Sequence, residues 1–387
     1  MCARFARSST LTFRGIPSFI IRWVGCRGPS FSQCTSRNNN NNNVKHWSML
    51  GAPLAASPLR LCAVPGYDGR CNDVVYCNPS HRAENQSTVI YFGGDMQDFT
   101  ENMQSHRDSK NYLKWNLEDT ARILHGNFAD CHIIVIRPAR IEYKTFSCFK
   151  NFVPCNNCGS PEHTPMHFAL QHLERLLQNV SEKLRTMSAE DVDAAISLSK
   201  TSHIHDETET EAEQTPHVGS DEANLWWREN LHLDKNNLLV IGFSKGCVVL
   251  NQFLYEFHYL KTLTPDDHSS MSVVSRIKDM YWLDGGHSGG KNTWITSRPL
   301  LETLTRLGIN VHIHVTPYQI QDDRRPCIRK EEKVFGDLLR RLGAPVTRTI
   351  HFENMFPNLY MHFDIINVFR LVNVHGSSTQ CTEPASK

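Results

Sequence analysis

The sequence has no long apolar segment and no excess of charge of either sign. A membrane-spanning helix needs about 18 to 20 consecutive apolar residues, whereas the apolar runs in these 387 residues are broken after six or seven. We therefore expect no transmembrane anchor. The 41 basic and 40 acidic residues nearly cancel, so the chain has no overall field that would attract nucleic acid, and nucleic-acid binding is not expected.

Acidic residues are missing from the N-terminal region. The first 67 residues contain no Asp or Glu but many Arg, Ser and Thr, with apolar residues between the charges. This composition is typical of a mitochondrial transit peptide; a secretory signal is less favoured because Arg22 interrupts the apolar run at 16–24. We predict a transit peptide with a flexible Asn-rich junction at 1–45, a poorly defined extension at 46–86, and a mitochondrial location, in the matrix.

The cysteines show no regular spacing. Their number, 13, is odd, and a chain of this length does not need a disulfide scaffold. Cys155 and Cys158 form a C-x-x-C pair, but a structural zinc site needs four ligands and no second pair follows at a suitable distance. We expect neither a metal nor another cofactor.

Short apolar runs alternate with longer amphipathic ones over most of the remaining chain. This alternation is typical of an α/β fold, in which helices cover a mainly parallel sheet. We predict one domain at 87–373 with a disordered acidic insertion at about 181–222, and a flexible tail at 374–387. The predicted strands are 88–92, 131–137, 237–243, 279–283, 310–315 and 346–352, and the predicted helices are 117–125, 166–184, 245–260, 299–307, 330–342 and 362–372.

The motif G-x-S-x-G lies between a predicted strand and a predicted helix, as Gly242-Phe243-Ser244-Lys245-Gly246. In this context it predicts a nucleophile elbow, where glycines permit a sharp turn that holds a serine hydroxyl above the sheet. The following helix points its positive N-terminal end at an oxyanion formed there. Ser244 is therefore the candidate nucleophile, and an inert serine in a glycine-rich turn is the alternative.

A serine nucleophile needs a histidine base and an orienting carboxylate, which follow in the order serine, acid, histidine in such folds. His362 follows the last predicted strand and is the expected base, with His287 on a glycine-rich loop as the alternative. Two acids compete for the third role. We prefer Asp322, because it follows the penultimate strand, over Asp284, which ends the strand before it.

The oxyanion hole of such a site requires two backbone N–H donors. One comes from the residue after the nucleophile, which is Lys245. The other comes from a loop after an early strand, and the glycine-rich loop after 88–92 offers Gly94 or Asp95. Lys245 and either Gly94 or Asp95 are therefore the expected donors.

Longer motifs resemble those of a known family. They are Phe92-x-Gly94-Asp95-x-Gln97 and the segments 241–252, 280–290 and 314–319. They are similar to motifs of a family of animal mitochondrial proteins named after a chromosome-two open reading frame, from about residue 87 to 369 outside the acidic stretch. The resemblance implies an α/β-hydrolase fold, a mitochondrial presequence and a catalytic triad at Ser244, Asp322 and His362.

The sequence thus favours a serine hydrolase that cleaves an ester or thioester of an acyl-bearing small molecule or lipid through an acyl-enzyme. The alternative is a catalytically inactive hydrolase-like scaffold that regulates another mitochondrial protein, because a fold does not guarantee chemistry. In that case the acidic stretch is the candidate docking element.

Overall fold

The computed structural model describes residues 57–82, 86–156, 159–188, 190–192, 194–195, 226–263 and 268–370. Its strands are β1 (Leu59–Pro65), β2 (Cys71–Cys77), β3 (Ser87–Phe92), β4 (Cys131–Ile136), β5 (Arg140–Glu142), β6 (Phe146–Cys148), β7 (Asn237–Phe243), β8 (Ile277–Leu283), β9 (Asn310–Val315) and β10 (Val346–Ile350). Its α-helices are α1 (Thr100–Gln104), α2 (Leu117–Asn127), α3 (Ala169–Thr186), α4 (Cys247–Thr262), α5 (His268–Arg276), α6 (Arg298–Arg306), α7 (Pro317–Ile320), α8 (Pro326–Leu342) and α9 (Leu359–Val368).

In the described residues, eight strands form one sheet in the order β1-β2-β4-β3-β7-β8-β9-β10. From β4 to β10 all neighbouring strands are parallel, while β1 pairs with β2, and β2 with β4, in antiparallel fashion. Strands β5 and β6 form a separate antiparallel hairpin. The prediction of a mainly parallel sheet covered by helices is confirmed, and all six predicted strands are present.

Side chains of the central strands alternate between two apolar layers, as the two-residue repeat of a strand requires. On β3, Ile90 and Phe92 join the layer formed with α3, α4, α6 and α8, whereas Val89 and Tyr91 join the layer formed with α2 and α9. Because both faces are covered, polar groups that react with a ligand can lie only beyond the strand ends.

The sheet begins earlier in the chain than predicted. The expected extension at 46–86 is not poorly defined from Leu59 onward, because β1 and β2 form its antiparallel edge, and Val74, Val75 and Tyr76 of β2 are fully buried. Antiparallel strands near an edge lack the continuous apolar run of a buried parallel strand. The sequence signal for these two strands was therefore weak.

The predicted acidic insertion also begins too early at 181, because α3 continues to Thr186. The Arg228 side chain donates from Nε to the Leu184 carbonyl oxygen at 2.8 Å and attaches the end of this helix to the later chain. The predictions for 1–45, for 374–387 and for most of the insertion lie outside the described residues. No helix in the described part of the chain is long and apolar enough to cross a bilayer.

Candidate active site

The register of β7 and β8 places Ser244 beside Asp284. Phe243 pairs with Leu283 at the ends of these parallel strands, so the next residues leave the sheet at the same edge. Ser244 and Asp284 both have positive φ, at 50° and 48°, a conformation that costs free energy in a residue with a side chain. The Gly286 N–H donates to the Ser244 carbonyl oxygen at 3.2 Å and joins the two turns.

The elbow around Ser244 depends on the close approach of backbone segments. A Cβ atom on Gly246 would lie 1.9 Å from the Phe92 carbonyl oxygen, and one on Gly242 would lie 2.9 Å from the Cys247 backbone nitrogen. These glycines allow the strand and helix to meet, as the motif predicts. The Ser244 side chain is 8% exposed, and its hydroxyl has no hydrogen-bond partner among the described residues.

His362 is hydrogen-bonded to Asp284. Its Nδ1 lies 2.6 Å from Asp284 Oδ2, and its ring contacts those of Phe243 and Tyr318, with centroid separations of 4.7 and 4.9 Å. A carboxylate accepts hydrogen bonds, so the proton of the neutral imidazole is assigned to Nδ1 and Nε2 is left as the basic nitrogen. This is the tautomer that a general base needs.

Asp284 is fully buried but not isolated. The backbone N–H of Thr316 donates to Oδ1 at 2.8 Å and the Thr316 hydroxyl donates to Oδ2 at 2.6 Å. Hydrogen bonds of this kind compensate for removing a carboxylate from water. Sequence reasoning did not assign a role to Thr316, although it directly follows β9 within the motif at 314–319.

The preference for Asp322 as the orienting acid is corrected. Asp322 instead pairs with Arg324 and Arg325, with Nε to carboxylate-oxygen distances of 3.0 and 2.9 Å. Burial opposes ionisation of Asp322, but these hydrogen bonds outweigh it and lower its pKa to about 2. The short helix α7 separates Asp322 from the end of β9, whereas Asp284 directly follows β8.

His287, the alternative base, is not hydrogen-bonded to the other candidate site residues among those that the structure describes. Its Nδ1 accepts a hydrogen bond from the Gly289 N–H at 2.9 Å, and no hydrogen bond joins it to Ser244 or Asp284 within the described residues. Burial lowers the pKa of His287 to about 4. It stabilises its own loop through the contact with Gly289.

The glycine-rich loop after β3 lies against Ser244. A Cβ atom on Gly94 would be 3.0 Å from Ser244 Cβ. The Gly94 N–H donates to Gln97 Oε1 at 2.8 Å, so the expectation that Gly94 supplies an oxyanion donor is not supported. The Asp95 N–H has no hydrogen-bond partner within the described residues, and Lys245 directly follows the serine, so these two residues remain the candidate donors.

The side chains of Lys245 and Asp95 also approach each other. Lys245 is fully buried, and its Nζ lies 3.8 Å from Asp95 Oδ2. A buried ammonium group needs a neighbouring carboxylate to offset its desolvation. No group of three or more His, Cys, Asp or Glu in the described part of the chain could hold a metal ion, and Cys158 of the C-x-x-C pair lies outside it.

A mainly parallel sheet in this strand order, with a serine at a strand-to-helix turn, an aspartate directly after β8 and a histidine in α9 hydrogen-bonded to it, defines an α/β-hydrolase fold. Within this class the chain belongs to the C2orf69 family, whose model matches residues 60–345. That range includes Ser244, Asp284 and the loop after β3, but His362 lies beyond it.

Mouse and human proteins are similar to this chain over most of its length. The mouse protein named "Mitochondrial protein C2orf69 homolog" is 38% identical over 330 residues, covering 82% of this chain and 88% of the mouse protein. Human "Mitochondrial protein C2orf69" is 38% identical over 292 residues, covering 73% of this chain and 74% of the human protein. These identities agree with membership of the family.

Solved structures similar to this chain include esterases. Esterase Est22 is 14% identical, with a TM-score of 0.37, and the match covers 84% of this chain and 79% of that chain. A thermostable esterase from Pseudomonas putida is 8% identical, with a TM-score of 0.38, covering 84% and 82%. Likeness at this level carries no information about activity.

Proposed function

We propose that this protein is a serine hydrolase that cleaves an ester or thioester of an acyl-bearing small molecule or lipid through an acyl-enzyme. The observation that carries the proposal is the 2.6 Å hydrogen bond between His362 and the buried Asp284 carboxylate, beside a serine at positive φ. An imidazole oriented by a buried carboxylate is the base that a serine hydroxyl requires.

In the first half-reaction, Ser244 Oγ attacks the carbonyl carbon and its proton passes to His362 Nε2. The backbone N–H groups of Lys245 and Asp95 stabilise the oxyanion of the tetrahedral intermediate. The intermediate collapses when the carbonyl re-forms and the bond to the alcohol or thiol breaks. The leaving group takes the proton from His362, and the acyl group remains on Ser244.

In the second half-reaction, a water molecule attacks the acyl carbon while His362 Nε2 takes its proton. A second tetrahedral intermediate forms at the same donors. Its collapse releases the carboxylic acid and returns the proton to Ser244 Oγ. Throughout the cycle, Asp284 keeps the imidazole in one tautomer and stabilises its protonated form, and Thr316 holds Asp284.

We also propose that the protein acts in the mitochondrial matrix. The names of the mouse and human relatives support a mitochondrial location. The acid-free, Arg-rich first 67 residues support it independently, because a positive presequence is drawn inward by the potential of the inner membrane.

A fluorophosphonate probe tests the proposed activity without knowledge of the substrate, because it reacts with activated serines. We expect the purified protein to be labelled at Ser244, as located by mass spectrometry of its peptides. Ser244→Ala should not be labelled. Ser275→Ala is the matched control, since the Ser275 hydroxyl donates to the Ser272 carbonyl oxygen on an exposed surface, and it should be labelled like the wild type.

A folded wild-type protein that is not labelled would contradict the hydrolase proposal and favour the inactive scaffold. Cells that lack the protein provide the second comparison. Equal rescue by wild type and Ser244→Ala would show that the cellular role does not require the serine, whereas rescue by wild type alone agrees with catalysis.

A further inference from the structure

The peptide group between Gly94 and Asp95 is held from one side by a buried serine. The Ser147 hydroxyl donates to the Gly94 carbonyl oxygen at 2.8 Å, and the Ser147 side chain is fully buried. The peptide is trans, since the described chain has no cis peptide bond. The C=O and N–H groups of a trans peptide point in opposite directions, so this hydrogen bond turns the Asp95 N–H away from Ser147.

This peptide lies next to the proposed nucleophile. Gly94 approaches Ser244 so closely that an added Cβ would lie 3.0 Å from the Ser244 Cβ. If the peptide flipped, its carbonyl oxygen would occupy the direction now taken by the Asp95 N–H. In the proposed reaction the oxyanion would then face a partial negative charge in place of the Asp95 donor, so the orientation of this peptide would decide whether Asp95 can contribute to the oxyanion hole.

Two hydrogen bonds donated by backbone N–H groups attach the same loop to the β5–β6 hairpin. The Ser147 N–H donates to Asp95 Oδ1 at 2.8 Å, and the Met96 N–H donates to the Thr145 carbonyl oxygen at 2.8 Å. Neither bond contacts the Gly94–Asp95 peptide itself. The loop would therefore stay attached without the Ser147 hydroxyl, but the peptide would lose the contact that selects its orientation.

We propose that Ser147 is a positioning residue for the oxyanion hole, and that its hydroxyl holds the Gly94–Asp95 peptide so that the Asp95 N–H faces the reacting carbonyl oxygen. The inference rests on the proposed serine hydrolase activity. It adds a residue from the hairpin outside the main sheet, to which neither the sequence motifs nor the Ser244, Asp284 and His362 constellation gives a role.

The test compares Ser147→Ala with the wild type on p-nitrophenyl acetate and on a trifluoromethyl ketone, which forms a tetrahedral oxyanion with an active serine. Removing one oxyanion donor costs about 10² to 10³ in kcat, and a donor that is only misdirected part of the time should cost about 10- to 100-fold. We expect that loss in kcat with little change in KM. The ketone should bind Ser147→Ala more weakly by a similar factor, and Ser147→Thr, which restores the hydroxyl, should recover most of the rate.

Ser181→Ala is the matched control, because the Ser181 hydroxyl is also buried and donates to a backbone carbonyl, that of Leu177, at 2.8 Å. It should lower the melting temperature without lowering kcat. A wild type that is active while Ser147→Ala retains full kcat and full ketone affinity would overturn this inference alone. A wild type that reacts with neither reagent would overturn the proposed activity, and this inference with it.

Discussion

Replacing Asp284 with Asn should slow the reaction of Ser244 by about 10³- to 10⁴-fold, because it removes the acceptor that sets the tautomer of His362. An Asn side chain can still accept the Thr316 N–H, which bonds to Oδ1. Its NH2 group then takes the place of Oδ2, which now accepts from His362. To accept a hydrogen bond from that NH2 at Nδ1, the imidazole must carry its proton on Nε2. In that tautomer Nε2 cannot take the proton of the Ser244 hydroxyl.

The size of the rate decrease follows from two changes at the imidazole of His362. The imidazolium that forms during attack loses its carboxylate, and the base is held in the unreactive tautomer. A factor of 10³ to 10⁴ corresponds to about 4 to 5.5 kcal/mol in the activation free energy. Because Asn keeps the shape of the side chain and one of its hydrogen bonds, the fold should be retained, which circular dichroism and the melting temperature would verify.

Labelling by a fluorophosphonate at several probe concentrations gives the second-order rate constant for Ser244. The matched variant is Asp322→Asn, which weakens contacts with Arg324 and Arg325 and should change the rate by less than about threefold, because it leaves the hydrogen bond between His362 and Asp284 in place. If Asp284→Asn labels at the wild-type rate while Asp322→Asn is slow, the assignment of the acid from this geometry is wrong.

Two further predictions concern stability. Gly246→Ala should destabilise the fold by about 3 kcal/mol or more, because its Cβ would lie 1.9 Å from the Phe92 carbonyl oxygen. The control Gly126→Ala lies in α2 with no atom within 4 Å of the added Cβ and should be neutral or slightly stabilising. Urea unfolding measures the free energy of unfolding of both variants, and equal stability of the two would contradict the prediction. The free energy of unfolding should also fall as the pH decreases from about 6.5 towards 4, by about 1.4 kcal/mol per pH unit for each histidine that stays neutral in the fold and is protonated when unfolded. Burial lowers the pKa of six histidines to about 3 or 4, namely His132, His163, His172, His287, His314 and His351. Their contribution to the free energy of unfolding is therefore present above the pKa that they have in the unfolded chain, and it is lost as the pH falls below that pKa. A free energy of unfolding that does not change over this pH range would refute the prediction.

Local pattern was sufficient for most of the sheet and for two members of the candidate site. The parallel strands are continuous apolar runs because helices cover both faces, so each run is visible in the sequence. The turn at Ser244 is visible for a related reason. At Gly242 and Gly246 other backbone atoms come so close that there is no room for a Cβ. Glycine is therefore required two residues before and two residues after the serine, and this spacing can be read in the sequence. His362 could be placed because only a short stretch of chain separates it from the last strand.

The remaining parts depend on contacts between segments far apart in sequence. Asp284 and Asp322 both follow strand ends, and only the paths of their loops decide that one reaches His362 while the other is held by neighbouring arginines. The hydrogen bond of Ser147 to Gly94 joins residues 53 positions apart, and no local sequence pattern predicts it. The sequence therefore determined which residues could react, because turns and strands follow from short-range sterics and burial. The tertiary structure decided which of them meet, because a hydrogen bond depends on distances and angles that only the packed chain defines.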